Sequence, residues 1–249
     1  MSKKRKRTRK NRGYPLAILI GFETKKAVLW QVFSKIVRPL ETIAITKRRE
    51  KLADNELYNF HELVIDTLRQ HIKEGIRSII IVQPKNSLYS EVFQEHIKKH
   101  HKWLTQETSA NLLSIGTIDG SASKEEDIFE LQQTKVLQKI ITETTTKEAA
   151  AIIEELEERL NRIDQGEIVL YSLQEIEELT YQKRKIGNRQ PEYVMLSDSF
   201  LNNHKQKQRL NRLLQILNNK KVNVKIIDAE TAAGERINQF GGLICFTKK

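Results

Sequence analysis

Leu16-Ala17-Ile18-Leu19-Ile20, Ala27-Val28-Leu29-Trp30-Gln31-Val32-Phe33 and the run from Ile36 to Ile45 follow one another closely, parted by Glu23-Thr24-Lys25-Lys26 and by Ser34-Lys35. Short apolar or alternating runs suit strands, whose side chains point alternately to the two faces of a sheet. Connections this brief leave no room for a crossover, so the three strands are expected to form an antiparallel meander. Working outward, the polar and basic Thr46-Lys47-Arg48-Arg49-Glu50-Lys51 leads to Leu57, Phe60, Val64, Leu68 and Ile72, a helical stripe closed by Gly75. Ile79-Ile80-Ile81-Val82 reads as a buried strand that stops before Pro84, and Val92, Phe93 and Ile97 mark a second helix. Leu112-Leu113-Ser114-Ile115 is the next strand candidate, and Ser123 can cap a helix running from Asp127 to about Ile141. The first half is thus a meander followed by α/β alternation.

Thr144-Thr145-Thr146 interrupts that pattern and is read as the start of a second unit. Ala149, Ile152, Ile153, Leu156 and Leu160 line one face of a long charged helix that should end near Gly166. Ile168 to Tyr171 suits a short strand, Ser172 a cap for a helix through Ile176 and Leu179, and Gln182 to Pro191 a basic loop. Tyr193 to Leu196 and Val222 to Ile227 read as strands around a helix carrying Leu210, Leu213, Leu214 and Leu217. A short helix from Ala232 to Phe240 and a last strand from Leu243 to Phe246 complete an α-β-α sandwich. The expected organisation is a basic tail over residues 1–13, one domain over 14–142 and another over 143–249.

Charge is concentrated at one end. The chain carries 43 Lys+Arg against 32 Asp+Glu, a net of +11. Eight of those bases, Lys3, Lys4, Arg5, Lys6, Arg7, Arg9, Lys10 and Arg12, stand together without an acid. A block of like charge repels itself and gains most from a polyanion whose counterions it displaces, so RNA is the first expected ligand. A solubilising tail or a nuclear-import signal is the alternative. No apolar run reaches the length of a membrane span, and the N-terminus lacks the apolar stretch of a signal peptide, which points to a cytoplasmic protein without a membrane partner. A single cysteine, Cys245, excludes an internal disulfide, a four-cysteine zinc site and a CxxC pair.

The C-terminal segment Asp228-Ala229-Glu230-Thr231-Ala232-Ala233-Gly234-Glu235-Arg236-Ile237-Asn238-Gln239-Phe240-Gly241-Gly242-Leu243 has a physical reading of its own. Asp228 or Thr231 can cap the helix, and Gly241 can take the left-handed conformation that turns Leu243 back into the sheet. The same segment resembles the C-terminal signature of the Pelota and class-1 archaeal/eukaryotic release-factor family. Gly166 to Ile176 is similar to the family's glycine-tyrosine stretch, and Tyr193 to Phe200 to its central strand and acidic turn. The resemblance implies a ribonuclease-H-like central domain over residues 14–142, followed by a C-terminal domain related in fold to kink-turn-binding ribosomal proteins. It also implies the ribosome, its rRNA and tRNA as ligands, and a translational GTPase or the ABC-type ribosome-splitting ATPase as a partner of the second domain.

Departures from the family pattern narrow the expected function. The tail leads straight into the first strand, where family release factors place a decoding domain, so codon reading in their manner is not expected. Their Gly-Gly-Gln loop has no counterpart: Gly241-Gly242 is followed by Leu243 in the other domain, and the equivalent region holds Thr46 to Lys51. Lys47, Arg48, Arg49 and Lys51 suit phosphate contact better than close approach to an ester. Gly187-Asn188-Arg189-Gln190 imitates a shortened glycine-glutamine motif but reads as a loop between elements. His96 and His100 stand four apart and can share a metal, yet no carboxylate follows at a metalloprotease spacing, so a solvated basic helix face is the preferred reading. Gly116 to Ser123 lacks the Gly-Lys-Ser/Thr ending of a phosphate loop and reads as a strand-to-helix turn. The expectation is therefore a non-catalytic, cofactor-free ribosome-associated protein acting in rescue, quality control or dormancy. A peptidyl-tRNA hydrolase with a non-standard loop and a free-standing RNA-binding module are the alternatives.

Overall fold

In the computed structural model, residues 14–104, 113–162, 168–181 and 189–248 are described. The meander forms as β1 (Pro15–Phe22), β2 (Lys26–Phe33) and β3 (Val37–Ala44). After α1 (Asp54–Lys73) come β4 (Ser78–Gln83), α2 (Tyr89–His100) and β5 (Ser114–Asp119). The sheet order is β3-β2-β1-β4-β5, with β1, β4 and β5 parallel and β2 antiparallel to both its neighbours. Alternate residues of β1 enter different cores. Ile18, Ile20 and Phe22 pack with Phe60, Val64 and Leu68 of α1 and Phe93 of α2, whereas Ala17 and Leu19 pack with Val82, Ile128 and Leu137 on the other side. Burial on both faces is why β1 and β4 read as unbroken apolar runs.

The second sheet contains β6 (Val169–Leu170), β7 (Gln190–Ser197), β8 (Asn223–Ile227) and β9 (Leu243–Lys248) in the order β6-β9-β7-β8. Strands β7 and β8 run parallel, and β9 is antiparallel to β7 and β6. The remaining helices are α3 (Glu125–Gln132), α4 (Lys135–Asn161), α5 (Leu173–Thr180), α6 (Asp198–Asn203), α7 (Lys207–Asn219) and α8 (Ala232–Gln239). One face of this sheet packs on α4 and α8 through Ile152, Leu156 and Ile237, the other on α5 and α7 through Ile176, Leu210, Leu213 and Leu217. The α/β class with two sheets is as the sequence implies.

Three local expectations are corrected. The threonine run does not break the chain: it lies inside α4, a helix of 27 residues. Two of its hydroxyls donate to carbonyls one turn back, Thr144 to Ile140 at 2.8 Å and Thr145 to Ile141 at 2.7 Å, as does the nearby Thr142 to Gln138 at 3.0 Å, so these side chains bond within the helix. The helix expected from Asp127 to Ile141 is two helices, α3 and the start of α4, with Thr134 capping the latter by accepting from Leu137 N at 3.2 Å. Ser123 is not the cap of α3. The Asp127 carboxylate instead accepts from Ser123 N at 2.8 Å and from Ser121 Oγ at 2.7 Å, and the Ser121 hydroxyl foremost holds it below the usual aspartate range. Finally, Gly116 to Asp119 belong to β5 rather than to a turn. A Cβ on Gly116 would lie 2.4 Å from Ile140 Cγ2, so glycine there lets α4 cross the sheet at close range.

The two sheets meet across α4. Its N-terminal part supplies Leu137 to the first sheet's core, and its later turns supply Ala149, Ile152 and Leu156 to the second. Between them Glu148, 2% exposed, takes a hydrogen bond from Ser78 Oγ of β4 at 2.6 Å and an ion pair from Lys225 Nζ of β8 at 2.5 Å. Lys225 is itself buried, and breaking a buried pair on one side leaves a charge without compensation, at a cost of about 3–5 kcal/mol. Glu148→Ala is accordingly expected to lower the urea midpoint sharply, whereas Glu148→Leu combined with Lys225→Met should recover most of the loss. The same denaturation curves test the proposed division at 142/143, which falls inside α4. Residues 143–249 alone keep Ala149, Ile152 and Leu156, and we propose that they unfold cooperatively, with a midpoint below that of the full chain because Ser78 is missing.

Candidate functional site

The loop after β3 is built by short-range hydrogen bonds. Ile45 N donates to Lys25 O at 2.9 Å and Arg49 N to Thr24 O at 2.8 Å, pinning the loop to the β1–β2 turn, and Arg49–Lys51 then form one 3-10 turn. Lys47 Nζ lies 2.8 Å from Glu56 Oε1, and Ala53 N donates to Glu56 Oε2 at 3.0 Å, closing the entry to α1. The Lys47 ammonium foremost holds the Glu56 carboxyl below the usual range. Lys47, Arg48 and Lys51 are exposed. These three present the positive surface that the sequence places here.

Arg49 departs from that pattern. It is 6% exposed, and its guanidinium carbon lies 4.2 Å from the Phe22 ring centroid, 4.2 Å from Tyr89 and 4.7 Å from Phe60. Desolvation lowers its pKa to about 10, against the opposing pull of Tyr89, Glu50 and Glu23. Tyr89 Oη donates to Glu50 Oε1, and that bond is the main cause of the lowered Glu50 pKa. Arg49 is therefore the fastener of the loop, not one of its exposed charges. Sequence reasoning missed this because Phe22, Phe60 and Tyr89 come from three different elements.

The C-terminal motif also serves the fold. Thr231 Oγ1 accepts from Gly234 N at 3.1 Å and donates to Asp228 O at 2.7 Å, which settles the choice of cap in favour of Thr231. A Cβ on Gly234 would fall 2.0 Å from Asp228 O, so only glycine allows the helix to start this tightly. Gly241 takes the expected positive φ of 91° and Gly242 follows at 84°. Asp198 Oδ1 accepts from Ala229 N at 3.0 Å and Asn238 Oδ1 from Ser197 Oγ at 2.6 Å, tying the motif to the end of β7. Tyr14, the first described residue, lines a cavity of about 150 Å³ with Lys225, Asp228 and Thr231. Burial, then Asp198 and Asp228, raises its pKa. The chain thus enters the described body beside this motif.

The other candidates fall as follows. Lys3, Lys4, Arg5, Lys6, Arg7, Arg9, Lys10 and Arg12 lie outside the described residues, as do Gly166, Gly187 and Asn188. Gln190 opens β7, so the glycine-glutamine imitation does not form a loop throughout. His96 is buried, not solvated, and its neighbour in hydrogen bonding is Glu62, which also receives His101. Among the described residues no helix is long and apolar enough to cross a membrane.

Two sheets sharing one long helix give this chain a fold similar to part of a translation termination-like factor. The resemblance to the Pelota and release-factor family holds in sequence and in fold. The chain is 22% identical over 194 residues to the Protein pelota homolog of Pyrococcus abyssi, an alignment covering 78% of this chain and 49% of that protein. It matches the structure of Saccharomyces cerevisiae Dom34, a translation termination-like factor involved in RNA quality control pathways and interacting with Hbs1, with a TM-score of 0.52 at 14% identity, covering 94% of this chain and 62% of that one. It matches archaeal Pelota in a model of the ribosome-bound protein with ABCE1, with a TM-score of 0.56 at 18% identity, covering 93% and 61%. The chain spans about half the length of the curated relative. No model of a protein family matches it.

A prediction follows from the loop geometry. Arg49→Ala should cost about 2–3 kcal/mol of stability, since a desolvated guanidinium loses several ring contacts at once. Lys47→Ala with Arg48→Ala should leave the melting temperature near that of the parent, because both side chains are exposed. Thermal melts of the two variants side by side check the contrast, and equal melting temperatures would refute the fastener role.

Proposed function

We propose that the protein is a non-catalytic, ribosome-associated translation factor of the Pelota kind, acting in the cytoplasm in rescue, quality control or dormancy. The observation that carries this reading is the match across both sheets to Pelota and Dom34 folds; it is supported by the loop after β3, which holds Lys47, Arg48 and Lys51 where the sequence resemblance implies the release factors' hydrolytic glutamine. An ester-cleaving loop has to bring backbone and water against the scissile bond with little bulk in the way. Three long exposed cations instead favour phosphate oxygens, whose contacts add affinity without chemistry. Residues Lys3, Lys4, Arg5, Lys6, Arg7, Arg9, Lys10 and Arg12 are proposed as the main rRNA anchor, with Lys47, Arg48 and Lys51 as a second contact. The sequence-based assignment of Arg49 to RNA binding is withdrawn on its burial.

By analogy with Dom34 and Hbs1, and with Pelota and ABCE1, the proposed protein partners are a translational GTPase and an ABC-type ribosome-splitting ATPase. The experiment is co-sedimentation of the chain with ribosomes over a series of salt concentrations. Each phosphate neutralised contributes a slope of close to one in the log-log plot, so deleting residues 1–13 should flatten the slope by several units. Replacing Lys47, Arg48 and Lys51 by alanine should flatten it further by about two or three. Ribosome binding with no salt dependence would defeat the anchor. Release of peptide from peptidyl-tRNA by the parent chain, abolished in the triple variant, would replace this reading with the hydrolase alternative.

A further inference from the structure

Glu62 of α1, His96 near the end of α2 and His101 in the turn after α2 converge on one point. Glu62 Oε1 lies 2.8 Å from His96 Nε2 and 2.7 Å from His101 Nε2, and the three ligand atoms are all within 4.8 Å of one another. Both imidazole side chains are 6% exposed and the carboxylate is 25% exposed, so the cluster is held by the fold and still reached from outside. We propose that Glu62, His96 and His101 form a binding site for a zinc-class divalent transition metal, with the fourth coordination position open to water. The inference is independent of the ribosome-binding reading.

The chemistry of the donors selects the ion. Two imidazole nitrogens and one carboxylate oxygen suit Zn²⁺, Co²⁺ or Ni²⁺, whereas Mg²⁺ and Ca²⁺ require oxygen donors. In a tetrahedral site with metal-ligand distances of about 2.0–2.2 Å, neighbouring ligand atoms stand roughly 3.3–3.5 Å apart. The two Glu62 contacts then lengthen by about half an ångström each, and the two imidazole nitrogens, which lie within 4.8 Å of each other, settle to the same spacing. An imidazole ligates through the ring nitrogen that carries no proton, so a metal on Nε2 leaves the ring proton on Nδ1. The rings packed round His96 are Tyr58 at 5.1 Å, His100 at 4.9 Å and His61 at 5.0 Å between centroids. Lys98, Lys99 and Lys102 lie close by in sequence and would repel a cation, but all three are exposed, where solvent screens their charge.

His100, the i+4 partner that spacing selects, is not among the three ligands. That difference makes the proposal testable against its simplest rival. The full-length chain, stripped with chelator, is titrated with Zn²⁺ by calorimetry, with thermal melts at each addition, and with Co²⁺ by visible absorption. The expected result is one equivalent bound, a melting temperature that rises with metal, and the intense visible bands of four-coordinate Co²⁺. Glu62→Gln and His101→Ala should each weaken binding about tenfold or more, and His100→Ala should leave it within about twofold. The melting curve of each metal-free variant reports whether it has folded, and the Co²⁺ spectrum of the unmodified chain tests the site without any variant. No saturable binding, a weak octahedral Co²⁺ spectrum, or loss of binding in His100→Ala with retention in His101→Ala would overturn the assignment.

Discussion

Glu148 is the point on which the arrangement of the two sheets depends. A carboxylate withdrawn from water in the middle of a long helix is tolerated only because Ser78 from one sheet and Lys225 from the other both reach it. Neither partner can be replaced by solvent at 2% exposure. The pair adds little net stability over a well-packed apolar substitute, and an arrangement that parted Glu148 from Lys225 would leave a charge buried alone. The aliphatic contacts of α4 on both sides are less discriminating. Leu137, Ile152 and Leu156 would accept small shifts that Glu148 forbids.

The same helix shows how far periodicity can be read. Strands β1 to β4, α1 and α7 were legible because each carries its pattern locally: runs buried on two faces, or apolar residues at three- and four-residue spacing. The caps at Ser172 and Thr231 were legible for the same reason. The threonine run was not, because β-branched residues with hydroxyls favour loops when considered alone. Their hydroxyls are satisfied within the helix, Thr144 on Ile140 and Thr145 on Ile141, and the helix is held by packing such as that of Ile140 over Gly116. That contact joins residues far apart in sequence. Ser123 failed as a cap in a similar way, since the donor and acceptor roles at the start of α3 are reversed by Asp127.

Site residues follow the same division. The exposed character of Lys47, Arg48 and Lys51 could be read from composition, because a run of cations in a short connection has nowhere to be buried. Arg49 sits between them with identical local signals and the opposite fate. Its box of Phe22, Phe60 and Tyr89 exists only after the meander, α1 and α2 have come together. Glu62 and His101 are a parallel case: spacing along α2 offers His96 and His100, yet the group that His96 meets is supplied by another helix 34 residues earlier.

A helix of 27 residues is about 40 Å long, and here both of its halves are bolted to a sheet. The basic loop after β3 belongs to the sheet packed on one half of that helix, and the glycine-rich turn before β9 to the sheet packed on the other. For any large partner touched by both, binding at the first contact delivers the second at a fixed distance and angle, so its effective concentration is set by geometry instead of by the statistics of a flexible linker.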